Sequence, residues 1–122
     1  MFKDQHSFED RIKECTRILQ KYPERIPIIV EKLEQKKSKQ DDIPNLEKKK
    51  FLVPESITFG QFIYIIRTRI KLNPEKAIFI FISNTIPTNT QTIREIYNQY
   101  KSDDGFLYCK YSGESTFGSF QI

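Results

Sequence analysis

KKKFLVPESITFGQFIYIIRTRI, Lys48 to Ile70, is the stretch whose reading decides the fold. Lys49 to Val53 reads as a short strand stopped by Pro54, because proline cannot donate to a strand ladder. Thr58, shortly after Ser56, opens a helix running to Ile70. Phe59, Ile63, Ile66 and Ile70 recur at spacings of four, three and four, which defines a core-facing stripe. Phe62 and Ile65 lie roughly 60 to 120° from that stripe at about 100° per residue, so something other than the core is expected to cover them.

Upstream, Phe8 to Tyr22 carries Ile12, Cys15, Ile18, Leu19 and Tyr22 at helical spacing and ends at Pro23; a further helical turn is expected near Asp4. Ile26 to Leu33 is rich in β-branched residues and alternates Ile26, Ile28 and Val30 against Pro27, Ile29 and Glu31, so it reads as a strand. Downstream, Lys76 to Ser83 reads as a central strand. The turn NTIPTN and a helix over Thr92 to Lys101 follow, then the breaker Asp103-Asp104-Gly105 and a last strand, Phe106 to Tyr111. This order predicts an α+β domain with a four-stranded mixed sheet and a helix packed across one face. It resembles the β-grasp arrangement of ubiquitin, a layout that by itself names no function.

The 122 residues suit one domain, and ten Phe with six Tyr provide the large core side chains that disordered chains lack. The longest apolar run, Ala77 to Ile82, is too short to span a bilayer, and the opening MFKDQHSFED has no apolar stretch for a signal peptide. A cytosolic protein is expected. Its net charge of +4 is concentrated between Lys32 and Lys50, where seven lysines face four acids. That stretch lacks the interleaved Arg and aromatics that stacking on nucleic acid requires, which argues against a nucleic-acid partner. Within it, Glu34 to Asp42 has no apolar residue and reads as an exposed loop open to solvent exchange and proteases.

No catalytic inventory is visible. The four glycines, at 60, 105, 113 and 118, form no phosphate loop, and there is no GxSxG. Cys15 and Cys109 read as buried, inert thiols, and His6 as a surface or helix-capping residue. With a single His and two separated Cys, no metal site and no cofactor are expected. Asp41-Asp42 and Asp103-Asp104 are turn formers first.

Three stretches carry a resemblance: KYPERIPIIVEK (Lys21 to Lys32), Lys48 to Ile70, and DGFLYCKYSGESTFG (Asp104 to Gly118). PEKAIFIF (Pro74 to Phe81) and Thr85-Ile86-Pro87 extend it over nearly the whole chain. The sequence resembles the autophagy ubiquitin-like modifiers, in the branch of the yeast modifier and GABARAP. The resemblance implies a ubiquitin-like β-grasp with two additional N-terminal helices: an extension over residues 1–25, the β-grasp over 26–111, and a mobile tail over 112–122. The loop between Lys32 and Leu46 is about five residues longer than in GABARAP, a tolerated kind of surface insertion. Ile12, Cys15 and Leu19 make the N-terminal helix more apolar than the family usually shows.

The resemblance also implies a protein substrate rather than an enzyme. A cysteine protease would cut between Gly118 and Ser119, gripping Phe117, and activating and conjugating enzymes would join Gly118 to phosphatidylethanolamine. The protein would then divide between a cytoplasmic pool and a lipidated pool on autophagosome or other intracellular membranes. Glycine suits this chemistry because no Cβ crowds attack at its acyl carbon. Cargo receptors would bind through a peptide with an aromatic residue, two intervening residues and an aliphatic one. One pocket would comprise Phe51, Val53, Pro54, Ile57, Phe62 and Ile65; the other, Glu14, Ile18, Pro27, Ile29, Lys50, Leu52 and Phe106. Flanking acids would meet Arg25, Lys48, Lys50 and Arg69. On the residues alone two other classes stay open: a non-covalent trafficking adaptor that is never conjugated, and a basic nucleic-acid binder.

Overall fold

A computed structural model describes residues 1–33 and 43–113; the lysine-rich loop 34–42 and the tail 114–122 lie outside the described residues. The elements are α1 (Phe2–Gln5), α2 (Phe8–Lys21), β1 (Arg25–Lys32), β2 (Lys50–Pro54), α3 (Phe59–Arg69), β3 (Phe79–Phe81), α4 (Ile93–Tyr100) and β4 (Leu107–Ser112). They form an α+β ubiquitin-like fold around a four-stranded mixed sheet ordered β2-β1-β4-β3. β1 is antiparallel to β2 and parallel to β4, and β3 returns antiparallel to β4.

Strand alternation divides the buried residues between two faces. Ile26, Ile28 and Val30 of β1, with Phe51, Val53, Leu107, Cys109 and Tyr111, join the main core beneath α3 and α4. Ile29, one register position off, belongs to a smaller cluster with Phe2, Cys15 and Phe106 under α1 and α2. The sheet is therefore covered on both sides, and the two N-terminal helices have an apolar seat of their own.

α3 and α4 begin alike. Thr58 and Thr92 accept from the N–H groups of Gln61 and Glu95, whose side chains answer the cap N–H groups in two capping boxes. Phe59 N–H donates to Gln91 O and Ile93 N–H to Ile57 O, at 2.8 Å each, tying the two helix starts together.

Two expectations need correction. α3 buries Phe59, Phe62, Ile66 and Ile70, with Ile63 half-buried at its margin. The core stripe is thus about 100° wide, and Phe62 sits on its flank inside the core. Ile65, about 120° from the centre, remains half-buried outside it. The second concerns Lys76 to Ser83, where the strand is only three residues long and lies at the sheet edge. Burial of Ile78, Ile80, Phe81 and Ile82 made the segment read as central, but burial and central pairing are separate properties. β4 takes the central place because it alone pairs with both β1 and β3. β3 ends in a tight turn, where Ser83 and Asn84 both take positive φ and Ile82 and Thr85 exchange main-chain hydrogen bonds. No described helix is long and apolar enough to cross a membrane.

Candidate functional site: a free strand edge between two apolar surfaces

β2 ends the sheet, so one side of it carries no partner strand among the described residues. Val30 N–H donates to Lys49 O at 2.8 Å and Glu55 N–H to Glu24 O at 3.0 Å. With the observed register, this alternation turns the main-chain groups of Phe51 and Val53 toward β1 and those of Lys50 and Leu52 outward. Leu52 O accepts a 3.2 Å hydrogen bond from Arg25 Nη1, a cationic guard on an otherwise open edge.

The β2 side chains alternate across the same edge. On the α2 side, Leu52 pairs with Pro27 and Lys50 with Ile29. Ile29 and Phe106 are fully buried beneath this surface, and Ile18 packs against them from α2. Lys50 Nζ forms an ion pair with Glu14 of α2. Burial holds the Lys50 ammonium below the usual lysine range. The seven residues expected for one pocket are therefore brought together from α2, β1, β2 and the residue just before β4.

On the α3 side the outcome is mixed. Phe51 and Val53 are almost wholly buried and Phe62 entirely so; all three are core residues. Pro54 is exposed, and Ile57 and Ile65 are half-buried, so these three offer the surface that a side chain could reach. Arg69 lies over the Phe51 ring with its Cζ 5.9 Å from the centroid. Beside it opens a cleft of about 320 Å³ where Lys48, Arg69 and Lys71, with Glu47 and Asn45 among them, surround the apolar Leu46, Phe51 and Ile70. Phe117, Gly118 and Ser119, the expected processing residues, lie outside the described residues.

Sequence reading missed two charged groups. Asp104, expected as a turn former, is 3% exposed. Its Oδ1 accepts from Phe106 N–H, as a turn aspartate does, while Oδ2 accepts from Arg11 Nη1 at 2.6 Å and from the Tyr108 hydroxyl at 2.5 Å. Burial and then this hydrogen bond to Asp104 push the Tyr108 phenol up. This ion pair clamps α2 onto the turn before β4. Glu31, placed by alternation on the outer face of β1, is 7% exposed, accepts from Phe2 N–H and Lys49 Nζ, and forms an ion pair with Lys110. The decisive partners were not visible in the spacing of the sequence, because Arg11 lies 93 positions from Asp104, and Phe2 and Lys49 lie 29 and 18 positions from Glu31. Cys15 and Cys109 are buried and unbridged; burial and then the Asp104 charge push the Cys15 thiol up to about 11, and burial raises Cys109 further.

The family model for the Atg8 ubiquitin-like autophagy protein matches residues 10–118. The chain is 55% identical over 117 residues to Autophagy-related protein 8 of Mycosarcoma maydis, covering 96% of this chain and 95% of the relative. It is 51% identical over 119 residues to Autophagy-related protein 8d of Arabidopsis thaliana, covering 98% and 95%. Its fold is similar to that of Trypanosoma brucei ATG8, with a TM-score of 0.85 at 41% identity over 96% of this chain and 97% of that one. Plasmodium falciparum Atg8, solved in complex with a peptide of P. falciparum Atg3, superposes with a TM-score of 0.86 at 36% identity over 96% and 98%.

Proposed function

This chain belongs to the Atg8 family of ubiquitin-like autophagy proteins, and we propose from that premise that it is a conjugated modifier whose β2 edge recruits short peptides to membranes. The observation that carries the reading is the edge itself: outward main-chain groups on Lys50 and Leu52, with apolar surfaces on opposite sides of the sheet. A peptide adding as a strand places residues an odd number of positions apart on opposite faces. An aromatic and an aliphatic residue three positions apart therefore fill the two surfaces at once. The α2 side, with Phe106 and Ile29 as floor and Lys50 at the rim, suits the aromatic.

Lys50 and Leu52 mark the aromatic subsite, and Pro54 and Ile57 the aliphatic one further along the chain, so the peptide runs parallel to β2. Residues preceding the aromatic then approach Lys48 and Arg69, which explains a preference for acids there. Cargo receptors and the enzymes of conjugation are the proposed partners. Trimming after Gly118 by a cysteine protease, adenylation and thioester transfer by activating and conjugating enzymes, and aminolysis by phosphatidylethanolamine would supply the membrane tether. This chain contributes only the acyl group, making it the substrate of those steps.

Calorimetry with an acidic peptide containing Trp, two residues and Leu tests the groove. Leu52→Ala is expected to cost roughly 1 to 3 kcal/mol, while Lys50→Ala chiefly slows association. In cells, wild-type protein should lose Ser119 to Ile122 and float with membranes, whereas Gly118→Ala should do neither. Unchanged affinity of the folded Leu52 variant would remove the groove. Retention of the four tail residues by wild type would remove conjugation.

A further inference from the structure

A buried acid near the end of a strand calls for an explanation, and at Glu31 the explanation is α1. Glu31 Oε2 accepts the Phe2 N–H at 2.8 Å and Lys49 Nζ at 3.2 Å, while Lys110 Nζ lies 3.8 Å from Oε1. The Phe2 ring, 5% exposed, stands edge-on to Phe106 with centroids 5.4 Å apart, and the His6 ring packs on it at 4.6 Å. Lys50 Nζ is 6.0 Å from the Phe2 centroid. One ring at the start of the chain thus touches both the floor and the rim of the aromatic subsite, and a buried carboxylate holds its main chain. A helix of four residues has no stability of its own in water, so α1 exists by virtue of this docking.

We infer that Phe2 is a positioning residue for the peptide site: α1 docked through Glu31 sets Phe106 and Lys50 for an aromatic side chain, so α1 docking and peptide binding reinforce each other. The inference rests on the groove reading above and adds a partner element to it. Phe106 packs edge-on against the rings of both Phe2 and Tyr108; without Phe2 it would lose one of these two supports and its position would be less fixed. Lys50, already ion-paired with Glu14, would lose the ring that flanks its ammonium at 6.0 Å. Coupling of this kind is reciprocal, so an occupied pocket must in turn hold α1 down.

The test uses the full chain and the Trp-x-x-Leu peptide. Phe2→Ala is expected to weaken binding about five-fold or more, Glu31→Gln to act in the same direction, and Phe2→Leu to recover most of the loss. A thermodynamic cycle separates positioning from general destabilisation. With Trp changed to Ala in the peptide, Phe2→Ala should make no further difference; with Leu changed to Ala, its penalty should persist. Hydrogen exchange of Phe2 to Gln5 should slow when the peptide binds. If wild type binds and Leu52→Ala impairs it, but Phe2→Ala and Glu31→Gln bind as wild type does, the coupling is overturned and the groove stands. If the Phe2 penalty is the same for all three peptides, Phe2 is merely structural and the inference fails. A wild type that does not bind the peptide overturns the groove and this inference together.

Discussion

At Gly105 the chain does what no other residue could do without strain. Its φ is +96°, and a Cβ there would come within 2.6 Å of Cys15 Sγ. The turn is closed by Gly105 N–H to Ser102 O and Ser102 N–H to Phe106 O, at 2.9 Å each, and the Tyr97 hydroxyl donates to Gly105 O at 2.7 Å. Backbone, α2 and α4 therefore converge on one atom-sized gap. Gly105→Ala is expected to destabilise the protein by about 1 to 3 kcal/mol through backbone strain and overlap with the thiol. In a Cys15→Ala background the same change should cost less, because the Sγ is gone. Urea unfolding of the four proteins checks this, and strictly additive costs would mean that the thiol is no obstacle. The sequence marked Asp-Asp-Gly as a breaker but could not show that Asp104 also closes a buried ion pair, since a turn aspartate and a paired one look alike in a string of letters.

Among the elements, α1 is held by the group whose charge is easiest to remove. Burial alone would raise the Glu31 carboxyl, but the Phe2 N–H, the Lys49 hydrogen bond and the charges of Lys110 and Lys49 outweigh it and hold it below the ordinary carboxylate range. A lowered folded value means that the unfolded chain takes up the proton first as pH falls. The stabilisation is therefore complete above the unfolded value, ~4.3, and drains away as pH drops through the folded one. Protection factors at Phe2 to Gln5, taken relative to the intrinsic exchange rate at each pH, should fall in that acidic window while the amides of β1 and β4 stay protected, and Glu31→Gln should leave Phe2 to Gln5 weakly protected at every pH. Acid-insensitive protection in wild type would show that α1 is held by its ring contacts alone. The short turn near Asp4 was legible as helical; its anchor was not, because sequence spacing reports neighbours on one element and Glu31 lies 29 positions away. The same limit explains the central placing of Phe79–Phe81: apolar content reveals burial, while strand order depends on which segments meet.

For the whole molecule the decisive feature is that a sheet covered on both faces leaves its β2 edge without a partner strand among the described residues, and most of this was legible. KKKFLVP read as a short strand, and the structure places that strand at the end of the sheet. The residues expected on the α2 side lie together, whereas α3 is rotated enough for Phe62 to join the core, a shift within the width of an apolar stripe. An open edge makes a backbone prediction that side-chain substitutions cannot reach. Because Leu52 turns its N–H away from β1, proline at this position removes a donor that the β1–β2 ladder does not use. Leu52→Pro should therefore leave a folded protein, with the exchange protection of β1 preserved. It should bind the Trp-x-x-Leu peptide more weakly than Leu52→Ala by about five-fold, the worth of one main-chain hydrogen bond of ~1 kcal/mol. Proline at Phe51, whose N–H faces β1, should instead disrupt the sheet itself. Equal affinities for Leu52→Pro and Leu52→Ala, measured on folded proteins, would mean that the peptide engages side chains without adding a strand, and the edge would lose its role.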